Sequence, residues 1–521
     1  MATVFVKPDG VLISARYTSP KPPFPMRSIK RNFRVWLLWF WECSTDEGLY
    51  LEADGIQTKR NWCARVVSLM SITWSGVSMV LFFAALGMVS AVEIAHEDFV
   101  LDNGLEVILI EDHTLPQVVV NVWYGVGSYD DPRGASGFAH LFEHLMFKGT
   151  DKVPAFDPLM EAHGGANNAT TGNDRTNYYS WGASNILELL LYLEADRMTG
   201  LQITQDKLDV EREVVRNELR QNYENRPYGG VWLSLSEMLY PETHPYHWEG
   251  IGSHEHLLNA NLKHVQDFYS DWYAPNNARL AVAGDFDSQA TRALITSLFS
   301  DLQPSIVPAH TTPPDVSKPQ LRRKSIADEV SAPALVMAWH SPSLLADGDA
   351  DLDVLSSILS GHDAARLDER LVHGGEGAQE ISVWQQSSQR GSVFIVWILA
   401  EPGADLAALE AAVHEELAQL KSEKLATAEE LAIALNNTEM LFLSGLESLM
   451  QKAEALQSYA FYAGGEYGPA DDLGRYRSVS AESLKATIEA WLTPENVTCI
   501  EVHPSSAKES VVPTEEQGGE Q

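Results

Sequence analysis

The readable pattern of apolar and polar positions begins at residue 99. Apolar residues 99–101 and 105–110 flank the sequence Asp102-Asn103-Gly104, which predicts a β-hairpin because Asn-Gly readily adopts the backbone angles of a tight turn. Residues 117–124 and 279–284 form two further apolar runs of strand length. The first half of the chain is therefore predicted to contain a β-sheet.

Helical periodicity occurs between these strands and again in the second half. Residues 186–198 place leucines at 187, 190, 191 and 193, a spacing that gives a helix one apolar face. Further helices are predicted at 137–147, 208–223, 350–359, 406–421, 426–462 and 481–491, and further strands at 334–339, 392–399 and 497–502. This order predicts an α+β protein of two related halves, each an antiparallel or mixed sheet with helices packed on one face.

A proline-rich segment separates the two halves. Residues 301–320 contain five prolines, a density typical of a linker. We expect a first domain at 92–308, a linker at 309–320, a second domain at 321–505 and a polar, acidic tail at 506–521.

Residues 1–91 are predicted to be a targeting extension. The apolar run at 77–89 has 13 residues, fewer than the roughly 20 that span a membrane, and it fits the core of a signal peptide. Basic residues precede it, and Val89-Ser90-Ala91 fits a cleavage site. We expect export to the bacterial periplasm through segment 70–91. The long stretch in front leaves open a true start at Met70, an uncleaved membrane anchor, or a mitochondrial presequence.

Composition limits the classes of function. The 521 residues carry 37 Lys and Arg against 72 Asp and Glu, a net charge of −35, so we expect no nucleic-acid partner, because phosphate contacts need a basic face. The acidity fits a solvated surface that keeps the protein soluble; adaptation to a salty medium and attraction of cationic peptides are alternatives. Three cysteines exclude a disulfide framework.

The candidate chemistry lies in the sequence His140-Leu141-Phe142-Glu143-His144, an H-x-x-E-H motif within the predicted helix 137–147. On a helix, His140 and His144 point the same way and can bind one Zn²⁺. Glu143 lies at the edge of that face, where it could hold a metal-bound water and take its proton. The alternative is that the three residues form an ordinary solvated helix face.

A hydrolytic zinc site needs a third protein ligand and one open position. The candidates are Glu211 and Glu218, which are seven residues apart on the predicted helix 208–223 and therefore share a face. Spacing alone does not choose between them, and a salt-bridged surface helix remains an alternative.

Several longer stretches extend this pattern. They are GFAHLFEHLMFKGT at 137–150, GGANNATTGNDRTNYY at 164–179, LEADRM at 193–198, EREVVRNE at 211–218 and YAPNNARLAVAGD at 273–285. With them the sequence resembles the pitrilysin/insulinase (M16) family of inverted-motif zinc metallopeptidases, in its processing-peptidase-like branch. The resemblance spans residues 92–505 and implies a LuxS/MPP-like metallohydrolase fold.

The resemblance also implies a set of roles. One zinc ion per subunit would be bound by His140, His144 and Glu218, with Glu143 as the general base and Glu211 as a carboxylate that orients the site.

The family binds substrate by adding it as a strand to a sheet edge, and the matching positions are Asn168, Ala169 and Thr170. Taken without the resemblance, Asn167-Asn168 predicts a plain turn. The family also uses an Arg and a Tyr as oxyanion donors. Residues 391–403 contain neither, and Arg366, which matches a family arginine, could equally form a surface ion pair.

We therefore expect a zinc metalloendopeptidase that cleaves peptides or unfolded polypeptides through a metal-activated water. A single unit is about half of the chamber of longer family members, so the resemblance implies a homodimer, or a heterodimer with a second M16 subunit. Two alternatives remain: a catalytically weak structural or regulatory subunit, and an exported peptide-binding protein in a heterodimer.

Overall fold

A computed structural model describes residues 92–505 except 315, 317–320, 423 and 466, together with the short antiparallel pair Phe5–Val6 and Leu12–Ile13. The signal-like segment 70–91, most of the extension 1–91, part of the linker 309–320 and the tail 506–521 lie outside the described residues. The described residues from Val92 to Ser505 form one compact unit. Within the described part, none of the helices combines the length and the apolarity that a membrane crossing requires.

The first sheet has six strands. They are β1 Glu97–Val100, β2 Glu106–Glu111, β3 Gln117–Tyr124, β4 Ala166–Thr171, β5 Thr176–Ala183 and β6 Ala278–Gly284, in the order β1-β2-β6-β3-β5-β4. The β2–β6 pair is parallel and the other pairs are antiparallel. The sheet is therefore mixed, and β4 lies at one edge.

Eight α-helices belong to the described residues of this half. They are α1 Phe138–Leu145, α2 Phe156–Ala162, α3 Leu187–Gly200, α4 Gln205–Leu219, α5 Gly230–Leu239, α6 His254–Asn259, α7 Leu262–Trp272 and α8 Ser288–Phe299.

The second sheet has five strands. They are β7 Arg322–Asp328, β8 Ala334–Ser341, β9 Ala378–Gln386, β10 Ser392–Ala400 and β11 Thr498–Pro504, in the order β9-β10-β8-β11-β7. Its described helices are α9 Asp349–Leu359, α10 Leu406–Lys421, α11 Ala428–Gly445, α12 Leu449–Tyr462, α13 Pro469–Arg477 and α14 Ala481–Trp491. The two mixed sheets with packed helices confirm the predicted α+β class; the boundaries drawn between domains stay a prediction.

Each sheet has apolar side chains on both faces, because neighbouring strand residues point to opposite sides. In β2, Val107 and Leu109 join the main core of the first half, whereas Ile108 and Ile110 face the other way. That second face is covered by α12, which belongs to the second half, through residues such as Leu456.

The second sheet is covered in the reciprocal way. Helix α5 of the first half places Val231 and Leu235 against Val336 and Ile395 of the second sheet. The halves thus exchange one helix each, in addition to the helices predicted on one face.

One predicted element is wrong in detail. Residues 426–462 are not a single helix, since α11 ends at Gly445 and α12 begins at Leu449. Ser448, which precedes α12, has extended backbone angles, and Gly445 has low helix propensity. The break turns α12 onto the first sheet.

Candidate metal centre

The H-x-x-E-H helix α1 is fixed at its start. Gly137 has a φ of +84°, and a Cβ there would lie 2.6 Å from the carbonyl oxygen of Ile251, so glycine is required for both its conformation and its space. The carboxylate of Asp131 accepts hydrogen bonds from the backbone N–H groups of Gly137 and Ala139, each at 2.7 Å. These bonds satisfy donors that a helix start leaves free.

Both histidines of α1 project from the same side of the helix. The buried residues Phe138, Leu141 and Leu145 hold the opposite side in the core. The rings of His140 and His144 have centroids 4.9 Å apart and are perpendicular to each other. Their predicted common direction is confirmed.

Helix α4 brings Glu218 to the two histidines. The Oε2 atom of Glu218 lies 3.7 Å from Nε2 of His140 and 3.5 Å from Nε2 of His144. One potential ligand atom from each of the three residues lies within 4.8 Å of the other two. Two imidazole nitrogens and one carboxylate oxygen at this spacing fit the donor set that a zinc ion takes in hydrolytic sites.

Glu211 occupies a different position. It is buried, with Oε2 3.5 Å from Nδ1 of His144 and Oε1 2.8 Å from Nζ of Lys148. His144 therefore presents Nδ1 to Glu211 and Nε2 to Glu218. This is the arrangement in which a carboxylate orients a ligand histidine through its other ring nitrogen, and it separates the two glutamates that spacing left equivalent.

The electrostatics of the cluster favour a cation. Burial lowers the pKa of His144, but hydrogen bonds to Glu211 and Glu218 outweigh burial and raise that pKa to about 9. For His140, burial followed by repulsion from His144 lowers the pKa to about 4. The two carboxylates thus favour positive charge next to the imidazoles, and a divalent ion could supply that charge with release of a proton from His144.

Glu143 lies beside this cluster rather than in it. It is partly buried, and its carboxylate accepts a hydrogen bond from the hydroxyl of Thr171. Burial raises the pKa of Glu143, and the bond from Thr171 opposes this effect. Since Thr171 ends β4, the bond joins the motif helix to the sheet edge.

The predicted residues Asn168, Ala169 and Thr170 lie within β4, and the edge expected from the resemblance is present. The alternative of a plain turn at Asn167-Asn168 is wrong, because both residues belong to the same strand. The hairpin from β4 to β5 is closed by a hydrogen bond from Gly172 N to Arg175 O.

In an antiparallel ladder, hydrogen-bonded and non-bonded pairs alternate. Counting back from Gly172, the backbone groups of Asn168 and Thr170 point to β5, whereas those of Asn167, Ala169 and Thr171 point away from the sheet. The Ala169 N–H accordingly donates to the side-chain oxygen of Asn168, at 2.8 Å. The backbone groups at the open edge are thus those of residues 167, 169 and 171.

Three side chains that support the site were not found from the sequence: Asp131, Lys148 and Thr171. Asp131 caps α1 from six positions before Gly137, outside the usual capping spacing. Lys148 and Thr171 act on Glu211 and Glu143 across the fold, which no local pattern signals.

Arg366, the family-matching arginine, connects its segment to the start of helix α11 in the second half. Its Nε and Nη2 atoms donate to the carboxylate of Glu430 at 2.7 and 3.0 Å, and Nη1 donates to the carbonyl of Lys424 at 2.9 Å. The ion-pair alternative for Arg366 is therefore present in the structure.

We expect Arg366→Met to lower the free energy of unfolding at pH 7 by about 1–3 kcal/mol, between the values for exposed and fully buried ion pairs. Burial raises the pKa of Glu430, but bonds from Arg366 and Thr427 lower it to about 2. A carboxyl group whose pKa is lower in the folded state stabilises that state at pH values above its unfolded-state pKa, which is about 4.3 for glutamate. The difference between variant and wild type should therefore shrink as pH falls from 4.5 to 2 in denaturant titrations. An equal difference at pH 7 and pH 2 would contradict this account.

Both halves of the chain match models of one protein family. A family model described as insulinase (peptidase family M16) matches residues 106–240, and one described as peptidase M16 inactive domain matches residues 259–438. Zinc protease PqqE of Helicobacter pylori is 31% identical over 370 residues, which cover 70% of this chain and 83% of that protein.

Solved structures give the same result for the fold. The crystal structure of a protease from Helicobacter pylori matches with a TM-score of 0.74 and 28% identity, covering 79% of this chain and 100% of the other. The periplasmic protease PqqL from Escherichia coli matches with a TM-score of 0.67 and 19% identity, and the match covers 80% of this chain and 48% of PqqL.

Proposed function

The chain belongs to the insulinase-type peptidase family M16, and from that premise we propose that it is a zinc endopeptidase that cleaves peptides or unfolded polypeptides. The observation that carries the proposal is the convergence of His140, His144 and Glu218, with Glu143 beside them. Relatives named zinc proteases support the same class of reaction.

His140, His144 and Glu218 would hold the metal, and Glu211 would fix the ring of His144 through Nδ1. Zinc bound there would act as a Lewis acid and lower the pKa of a bound water. Each histidine must be neutral and offer an unprotonated ring nitrogen to the ion, so zinc binding would displace any proton at Nε2 of His144 while Nδ1–H keeps its contact with Glu211.

Glu143 would act as the general base. It lies one residue before His144 on the same helix, and its carboxylate is oriented by the Thr171 hydroxyl. Its raised pKa brings it closer to neutrality, where a carboxylate exchanges protons most effectively. Glu143 would take a proton from the attacking water and pass it to the nitrogen of the departing amine.

The substrate would add to β4 as an extended strand. The outward backbone groups of residues 167, 169 and 171 can bind the main chain of any extended peptide, so affinity would depend little on sequence. Thr171 is both the end of this edge and the partner of Glu143, which would bring a bound main chain next to the catalytic carboxylate. An unfolded segment can offer an extended main chain to pair with β4, whereas the main chain of a folded protein is already paired within its own structure.

Export and assembly belong to the same proposal. Export rests on the apolar segment 70–91. Pairing with a second copy or a second M16 subunit rests on length, since the match covers 48% of PqqL. The proposed domains are a catalytic domain at 92–308 and a second domain at 321–505, joined by a linker at 309–320.

We expect the purified chain to contain one zinc ion and to hydrolyse an internally quenched unfolded peptide. A chelator should remove both the zinc and the activity, because the ion is held by three side chains, and added zinc should restore them. Metal content by mass spectrometry and fluorescence release provide the measurements. Ligand-intact protein that binds no zinc would contradict the proposal, and zinc binding without hydrolysis would favour the catalytically weak subunit.

A further inference from the structure

The β4–β5 hairpin is held at its turn by the second half of the chain. Arg390, in the turn between β9 and β10, places Nη1 2.5 Å from Oδ1 of Asp174, which lies in the turn between β4 and β5. The Asp174 side chain is 3% exposed and that of Arg390 is 17% exposed. The ion pair therefore lies at a desolvated contact between the two halves, where removing either residue would leave the charge of the other buried and unpaired.

Further groups complete this contact. The hydroxyl of Tyr246 donates to Oδ1 of Asp174 at 2.7 Å, and the backbone N–H of Gln389 donates to Oδ2 at 3.2 Å. The guanidinium of Arg390 lies 4.0 Å from the ring centroid of Tyr129. The turn is thus fixed by charge, by hydrogen bonds and by an aromatic face.

The same hairpin is held a second time along its strands. Glu454 of α12, also from the second half, accepts hydrogen bonds at Oε1 from the side-chain amides of Asn121 at 2.8 Å and Asn177 at 2.6 Å. Oδ1 of Asn177 accepts from the Thr170 hydroxyl at 2.6 Å and from Nη1 of Arg175 at 3.1 Å. A continuous hydrogen-bonded path therefore runs from α12 to the edge strand β4.

We propose that the second half of the chain positions the substrate-binding edge: Arg390 and Glu454 are positioning residues that hold the β4–β5 hairpin in the place where a peptide adds to β4. This inference rests on the proposed function for its effect on substrate. It assigns a task to the half that matches a model described as an inactive domain.

The expected effect falls on binding more than on chemistry. A hairpin released at its turn still carries its own ladder and its bonds from Ser128 and Tyr129 of the first half. It would fluctuate more, and a peptide that adds to it would have to order it. The zinc ligands do not contact Arg390 or Glu454, so metal content should not change.

The test compares Arg390→Met and Arg390→Lys with the wild-type chain. For an unfolded peptide substrate, Arg390→Met should raise KM about tenfold with kcat within twofold, and the lysine, which keeps the charge, should restore part of the loss. Glu454→Met should act in the same direction. Arg323→Met is the matched control. Arg323 lies on β7, an edge strand of the second sheet away from the hairpin, and its Nη1 atom donates to Glu410 at 2.7 Å.

Amide hydrogen exchange supplies a readout that needs no activity. Segment 166–183 should lose about tenfold in protection in Arg390→Met and not in Arg323→Met, with zinc content unchanged in both. If no variant hydrolyses peptide but this exchange pattern appears, the proposed function fails and the positioning of the hairpin stands. The inference would be overturned if folded Arg390→Met showed unchanged exchange and unchanged KM. If that variant does not fold, the same result in Arg390→Lys and Glu454→Met would overturn it. Equal effects in the control Arg323→Met would also overturn it.

Discussion

Replacing Glu143 with glutamine should abolish peptide hydrolysis while leaving one zinc ion per chain. Glutamine keeps the size of the side chain and can still accept the hydrogen bond from Thr171, but it does not take a proton at neutral pH. Loss of a general base lowers kcat by about 10²–10⁴-fold. Glu143 is not among the three residues whose ligand atoms converge, so zinc affinity should be retained. Initial rates with a quenched peptide and metal analysis of the same sample measure both quantities.

Glu161→Gln provides the control for this variant. Glu161 is an exposed glutamate on α2, and its replacement makes the same change of charge without touching the cluster. Turnover by zinc-loaded Glu143→Gln at the wild-type rate would show that another group accepts the proton.

Replacing Glu218 with glutamine should remove most of the bound zinc and, with it, the activity. The carboxylate of Glu218 faces Nε2 of both histidines, and an amide is a poor substitute for a charged oxygen ligand. Glu211→Gln should behave differently, because Glu211 meets Nδ1 of His144 and Lys148. Loss of such an orienting carboxylate lowers metal affinity about 10–100-fold. Zinc titration against a competing chelator distinguishes the two variants.

The contrast between these two glutamates is what makes the experiment decisive. A Glu218→Gln protein that keeps zinc at wild-type affinity, next to a Glu211→Gln protein that loses it, would exchange the two roles. If both variants lowered zinc affinity only slightly and equally, the cluster would not be the metal site.

The motif helix could be predicted from sequence because its information is local. The spacing of His140, Glu143 and His144 fixes their directions once a helix forms, and the apolar residues between them define its buried side. The choice between Glu211 and Glu218 is not local. Both lie on one side of α4, and only the crossing of α4 with α1 places each against a different ring nitrogen of His144.

The edge strand β4 was hidden by its composition. Its residues Asn167, Asn168, Thr170 and Thr171 are polar and suit a turn, yet pairing with β5 and the contacts of Asn177 and Arg175 stabilise an extended conformation. The break in the predicted helix 426–462 was missed for a related reason. Its apolar residues continue through the break, and the change of direction matters only because α12 packs on a sheet formed by the other half.

The helices exchanged between the halves have a consequence for how such a chain can be divided. Without α12, Ile108 and Ile110 of the first sheet would face water, and without α5 the same would hold for Val336 of the second. Two polypeptides made by cutting within 309–320 would each expose an apolar face of a sheet until they associated. The covalent link keeps the two complementary surfaces at high effective concentration. Two separate chains divided at this point would therefore form an obligate heterodimer and would not be two independent domains.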